Sequence, residues 1–301
     1  MTRVQANLVL LLAAAIWGGG FVAQSTAMAS IGPLWFVGLR FAIATIVVLP
    51  FVWLEARKAA QPLSRRSKLG FCAVGLVLFA GASTQQIGLL TTTVTNSSFL
   101  TGLYVVFVPV ISVLAFRRYP HWIIWPAALI ALAGIFLLSG GRLDRLTSGD
   151  LLSIVCAFFW AIQILLAGLF VSESGRPLAL SATQFAVCGI CCLVIAAVSE
   201  PISLAAIYGS LAEILYVGIV SSGLAFVLQV IGQRYTTAPQ AAIMLSSEAL
   251  FGALLAALVL GETLPSAGYV GCAMLFTAML LVEIVPELIR RHSLPVLSKT
   301  P

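Results

Sequence analysis

Charge is scarce in this chain. Of its 301 residues only 9% are Asp, Glu, Lys or Arg, against 61% hydrophobic, and the mean hydropathy is +1.10. A soluble domain carries about 25% charged residues to face water, so a soluble globular fold is excluded. Histidine is equally sparse: His121 and His292 are the only two, and neither belongs to an H-E-x-x-H pair. The six cysteines, Cys72, Cys156, Cys188, Cys191, Cys192 and Cys272, all fall inside apolar runs. They read as small packing residues, and neither a metal site nor a structural disulfide is expected. No G-x-S-x-G elbow and no phosphate-cradling P-loop occurs, which argues against an intramembrane enzyme and against a built-in ATP-driven motor. No cofactor is called for.

What the chain does have is apolar runs long enough to cross a bilayer core as helices, which takes about 20 residues each. A transmembrane β-barrel is written instead in alternating segments of about ten residues. The runs predict an all-α polytopic membrane protein with ten spans, at roughly 6–28, 34–54, 67–90, 96–116, 122–140, 149–171, 179–199, 207–231, 237–260 and 265–285. Arg3 followed by an apolar stretch and Ala27-Met28-Ala29 also resembles a secretory signal, but the stretch exceeds the usual apolar core of such a signal, about 7–15 residues. It is expected to stay as the first span.

The net charge of +6 does not point to nucleic acid, because the basic residues sit in the breaks between spans. One side receives Arg3, Arg57, Lys58, Arg65, Arg66, Lys68, Arg117, Arg118, Arg176, Arg234, Arg290, Arg291 and Lys299; the other receives Arg142 and Arg145. Positive residues stay on the cytoplasmic side, so both termini are expected in the cytoplasm of a cell inner membrane. Membrane lipid and a small-molecule solute are the expected partners. A homodimer is compatible with the sequence, which specifies none.

A shift of 144 residues aligns Pro33 with Pro177, Phe41 with Phe185, Gln85 with Gln229, Ile87 with Ile231, Gly88 with Gly232 and Thr92-Thr93 with Thr236-Thr237. Trp17 and Trp160 align with a shift of 143. The chain therefore reads as two repeats, 1–145 and 146–287, with a cytoplasmic tail at 288–301. Five spans in each repeat force the second to lie upside down relative to the first. Inverted repeats are the architecture of secondary transporters, which bind solute near the midplane between the halves and work by alternating access. A receptor or assembly subunit would leave the repeat unexplained.

The segments AAAIWGGGFV, GPLWFVGLRFAIA and SSEALFGALLAALVLGETLP resemble the two-domain EamA-type members of the drug/metabolite transporter superfamily. The resemblance covers roughly residues 6–285 and implies ten helices in inverted five-helix repeats that move small metabolites, amino-acid-like or drug-like, often as efflux. Gln184 stands where the second repeat would match Arg40, so a charge role there is confined to one half.

An unpaired charge at the bilayer centre costs at least about 2.5–3.5 kcal/mol, so intramembrane polar residues are the candidate site. Glu248 lies about eleven residues into its span, about 16 Å deep at 1.5 Å per residue. It reads either as a substrate- or proton-binding carboxylate or as a neutral acid that fixes packing. Arg40 reaches a headgroup, an anionic solute group or Glu248. Gln85, Asn96, Gln163, Gln184 and Gln229 line the pathway or bond helix to helix. Trp17 and Tyr104 stack on solute or pack, and Tyr104 matches Glu248 in the repeat register. Gly18-Gly19-Gly20 allows a bend or a close helix approach. Asp150 complements a helix dipole, and Glu262 marks a helix end.

Overall fold

A computed structural model of the chain describes residues 1–138, 146–252, 254 and 266–293. No strand occurs among the described residues, and eight helical stretches there are long and apolar enough to cross a membrane. They are Arg3–Ala27, Pro33–Lys58, Arg65–Gly88, Asn96–Leu114, Ser148–Ser174, Pro177–Ser199, Leu211–Gln233 and Ser266–Pro286; Ile124–Leu138 is a shorter apolar helix. This is a multi-pass membrane protein. Arg142, Arg145, Glu262 and Lys299, and the ends of the spans expected at 122–140 and 237–260, lie outside the described residues.

Local chemistry explains where helices begin. α1 (Arg3–Gly18) starts at a capping box in which Thr2 and Gln5 satisfy each other's backbone N–H groups, and Gly19 separates it from α2 (Gly20–Ala27). α3 (Pro33–Lys58) has proline in its first turn, where a missing N–H does no harm. α4 (Arg65–Gly88) is capped by Ser64, and α5 (Val94–Thr101) by Thr93; α6 (Tyr104–Leu114) and α7 (Ile124–Leu138) follow. α8 (Ser148–Ser174) opens on a second capping box, Thr147 with Asp150, and ends at Gly175, whose φ of 66° suits a residue without Cβ. α9 (Pro177–Ser199) again has proline in its first turn.

The eighth expected span is less regular. α10 (Leu204–Gly209) and α11 (Leu211–Tyr216) lead into a π-helical stretch, Val217–Leu224, before α12 (Ala225–Gln233). α13 (Ala238–Leu245) stops at Ser246, and helical turns resume from Glu248. α14 (Ser266–Ser293) runs eight residues past the expected end at 285, because Pro286 is accommodated inside it. The basic break expected between the spans 34–54 and 67–90 narrows to 59–64, since Arg57, Lys58, Arg65, Arg66 and Lys68 all sit on helix ends.

Packing is inverted relative to a soluble protein. Gln86, Gln163, Gln184, Ser222 and Ser247 are fully buried, whereas Ile46, Leu69, Leu114, Val194 and Val198 are exposed. That distribution suits a solvent of acyl chains, in which polar groups must find partners inside. The most extensive helix contacts are α3 with α9, α4 with α8, α7 with α14 and α4 with α9, followed by α1 with α12.

α3 and α9 run antiparallel and cap each other. The Glu200 carboxylate, just past the end of α9, accepts from Leu34 N at 3.1 Å and Trp35 N at 3.2 Å. The Glu55 carboxylate, near the end of α3, accepts from Leu178 N at 2.9 Å, Ala179 N at 3.0 Å and Arg176 Nε at 3.0 Å. Each helix thus places a negative charge on the positive end of the other's dipole.

Candidate functional site

The buried polar side chains converge on one chamber. It is lined by Trp17 and Gln24 from the first span, Arg40 from α3, Gln85 from α4, and Thr101 and Tyr104 at the α5–α6 break. Trp160, Gln163 and Ile164 of α8, Ser221 of the π-helical stretch, Phe226 and Gln229 of α12, Leu245 and Glu248 complete it. The cavity volume is about 60 Å³.

Glu248 is 8% exposed, and its Oε1 accepts from the Tyr104 hydroxyl at 3.4 Å. Gly18 sets its backbone. A Cβ built on Gly18 would lie 2.6 Å from Gly252 N and 2.8 Å from the Glu248 carbonyl oxygen. Only a residue without a side chain lets α1 lie against the turn that carries the carboxylate. The glycine run thus gives both a helix break, at Gly19, and a close approach, at Gly18.

Arg40 is 4% exposed and does not snorkel to the surface. Its Nη1 donates to Gln24 Oε1 at 2.8 Å, and its guanidinium carbon lies 4.9 Å from the Phe41 ring centre and 5.6 Å from that of Phe36. Gln86 holds the backbone of Gln24 in turn, its Nε2 donating to Gln24 O at 3.1 Å. Arg40 Nε has no hydrogen-bond partner. No ion pair joins Arg40 to Glu248 among the described residues: the two charges face the same chamber, each held by a neutral neighbour.

An amide chain forms another wall. Gln163 Nε2 donates to Gln184 Oε1 at 3.0 Å, Gln229 Nε2 donates to Gln163 Oε1 at 3.0 Å and to Gln233 Oε1 at 3.2 Å, and Gln233 Nε2 donates to Ile164 O at 2.9 Å. Gln85 Nε2 donates to Thr101 Oγ1 at 3.2 Å. Aromatic rings close the apolar side. Phe226 meets Trp17 edge-on at 4.8 Å between ring centres and stacks on Trp160 at 5.6 Å. Trp17 Nε1 donates to Ser221 O at 2.8 Å, a carbonyl in the π-helical stretch, the kind of helix irregularity often found at functional sites.

Seven of the nine residues singled out in the sequence therefore line the chamber: Trp17, Arg40, Gln85, Tyr104, Gln163, Gln229 and Glu248. Gln184 stands behind Gln163 and fixes its amide. Asn96 lies in the first turn of α5, donating its N–H to Thr93 Oγ1 at 3.1 Å, apart from the lining. Sequence reasoning passed over Gln24, Thr101, Trp160, Ser221 and Phe226. The pairing of Trp160 with Trp17 in the repeat was an available signal, whereas Phe226 in an apolar run offers none.

A polytopic helical protein with a polar, partly charged chamber enclosed by its spans belongs to the class of membrane transporters. More specifically, the chain belongs to the EamA-like transporter family, whose model matches it twice, at residues 4–140 and 147–284. It is 30% identical over 288 residues to an uncharacterized transporter of Archaeoglobus fulgidus, covering 94% of this chain and 87% of that protein. It also shares its fold with a protein of known crystal structure, with a TM-score of 0.77 over 97% of this chain and 100% of that one, at 17% identity.

Proposed function

We propose that this protein is a ten-helix secondary transporter that moves a small metabolite, amino-acid-like or drug-like, by alternating access between two inverted halves, 1–145 and 146–287. The observation that carries the reading is that positions matched by the 144-residue shift meet across the molecule. Tyr104 hydrogen-bonds Glu248 and the Phe41 and Phe185 rings lie 5.7 Å apart, while the reciprocal caps Glu55 and Glu200 fall one residue off that register, at a shift of 145. Matched interfaces support it as well. A Cβ on Gly88 would meet Gly149 and Leu152 at the start of α8, and one on Gly232 would meet Ala6 and Leu10 at the start of α1. Such exchange of neighbours is what a two-fold relation between antiparallel repeats produces.

In this reading solute occupies the chamber in an expanded form. Arg40, with Nε to spare, holds an anionic group; Glu248 holds a cationic group or a proton; and Trp17, Trp160 and Phe226 face the apolar part. The amides of Gln85, Gln163 and Gln229 fix its orientation. Both termini lie in the cytoplasm of the inner membrane, and export is the favoured direction.

The test begins with a screen of small metabolites for thermal stabilisation of the purified protein, since a ligand of the folded state raises its apparent stability. A hit is then followed as labelled flux into proteoliposomes with and without an imposed pH gradient. Gradient-driven accumulation that is lost in E248Q, and flux that is strongly reduced in R40Q, are expected. Undiminished gradient-driven accumulation by E248Q would exclude Glu248 as the proton carrier.

A further inference from the structure

A second and larger cavity, a vestibule of about 710 Å³, opens at the end of the molecule that carries Arg3, Arg118 and Arg234. The vestibule and the chamber are lined by successive turns of the same helices. On α8, Gln163 and Ile164 line the chamber, whereas Leu165 and Gly168 line the vestibule. Tyr104 and Ser112 divide α6 in the same way, and Leu245 and Gln240 divide α13. The layer between the two spaces is apolar: Val108, Ala241 and Leu245 are fully buried and share one core cluster with Ile164 and Leu165.

Gln233 breaks this apolar layer. It is 1% exposed and lines neither space. An amide so placed costs free energy unless it is hydrogen-bonded, and both ends of this one are. Its Oε1 accepts from Gln229 Nε2 at 3.2 Å, and its Nε2 donates to Ile164 O at 2.9 Å. Gln233 thereby ties α12 to the backbone of α8 at the residue where the lining passes from chamber to vestibule. A Cβ built on Gly168 would already touch Gln233 Nε2, at 3.8 Å, so a larger side chain there would obstruct the bond. Gln229 lines the chamber, so the chain of amides runs from that space to the barrier. The 144-residue shift matches Gln233 with Leu89, whose side chain neither donates nor accepts. By that register the first half has no equivalent of this tie.

We propose that Val108, Leu165 and Leu245 form a closed gate between vestibule and chamber, and that Gln233 is its latch, a positioning residue that holds α12 to α8 while the gate is shut. The apolar side chains keep water out of the barrier. Parting α8 from α12 breaks the bond between Gln233 and Ile164, but the water that enters then solvates both groups, so the net cost of release is small. The latch thus biases the gate towards closure without locking it. One ordinary hydrogen bond shifts such an equilibrium by about three- to tenfold. That solute passes this gate rests on the transporter reading; that Gln233 keeps it shut does not.

The test follows T101C, on the chamber wall, and L169C, in the vestibule, each in the full-length protein with its native cysteines replaced. A membrane-impermeant methanethiosulfonate is added to sealed vesicles of uniform orientation, on the face that bears the 59–64 break. L169C should react fast and T101C slowly. Q233M, which fills the same space without a donor, should speed T101C by about three- to tenfold and leave L169C unchanged. L245A, which thins the barrier, should also speed T101C. S153A removes another buried hydrogen bond, from Ser153 to Ser97; it should lower the melting temperature and leave both rates unchanged, as a merely structural residue does. T101C as fast as L169C without further substitution, or unmoved by L245A, would overturn the gate. A T101C rate unchanged in Q233M, or raised equally by S153A, would overturn the latch. G168V leaves Gln233 in place and blocks its reach to Ile164, so it gives the same answer if Q233M is unstable. No solute flux enters the measurement, so an overturned gate leaves the transport proposal standing, and failed flux would leave the gate standing.

Discussion

Gly18 and Arg40 show how single residues shape the chamber. Any side chain at Gly18 collides with backbone rather than with a flexible tip, so G18A should cost about 1–3 kcal/mol through overpacking. A lowered melting temperature, together with reduced flux, would show it; a melting temperature equal to that of the unaltered protein would contradict the close approach. Arg40 acts differently. Gln24 satisfies one of its nitrogens and aromatic rings face it, while Nε remains without a partner. Replacing it with glutamine should leave the protein folded and lower kcat/KM for an anion-bearing solute about tenfold or more, equivalent to about 1.4 kcal/mol. An unchanged value would remove Arg40 from the solute contact.

At this scale the polar part of the site was legible because a charge or an amide stands out in an apolar run and requires a partner. Glu248 and Gln163 announced themselves in that way. Phe226 did not, since four other rings, Trp17, Phe41, Trp160 and Phe185, meet it only through the crossing of separate helices. Gln184 had the right chemistry yet stands one layer back, a distinction of helix rotation that residue type does not encode.

Among the elements, α3 and α9 are the pair whose ends explain each other. E55A and E200A should each destabilise the protein by about 1 kcal/mol, as lost helix caps do. Because the two carboxylates serve opposite ends of the pair, their effects should add. Melting curves of both single variants and the double variant check this; a double variant no worse than either single one would mean the caps act as a unit. The capping chemistry of Pro33, Pro177, Thr147 and Asp150 could be read in advance. The π-helical stretch at Val217–Leu224 could not, because Ser221 and Ser222 lie in a run that would serve an α-helix equally well.

For the whole molecule, the alternation of apolar runs and basic breaks revealed a helical membrane protein, and the internal shift suggested how its halves relate. Helix continuity through Pro286 and the narrowing of the break to 59–64 depend on packing, which composition does not record. The proposed topology makes a prediction of its own. In a cysteine-free background, A60C should react with an impermeant maleimide only from the cytoplasmic side, and S203C only from the opposite side. Labelling of both from one side would refute the orientation drawn from the basic residues.

Tyr104 and Glu248 also limit how alike the halves can become. If the halves are related by the proposed two-fold axis, equivalent positions that face each other across it meet their own copy, and two ionised carboxylates so placed repel. On that proposal, a half that keeps an acid there is best matched by a proton donor in its twin, as the Tyr104 hydroxyl matches Glu248. Under the proposed duplication the centre is where exact copying is least tolerable, and a phenol opposite a carboxylate is one chemical way out.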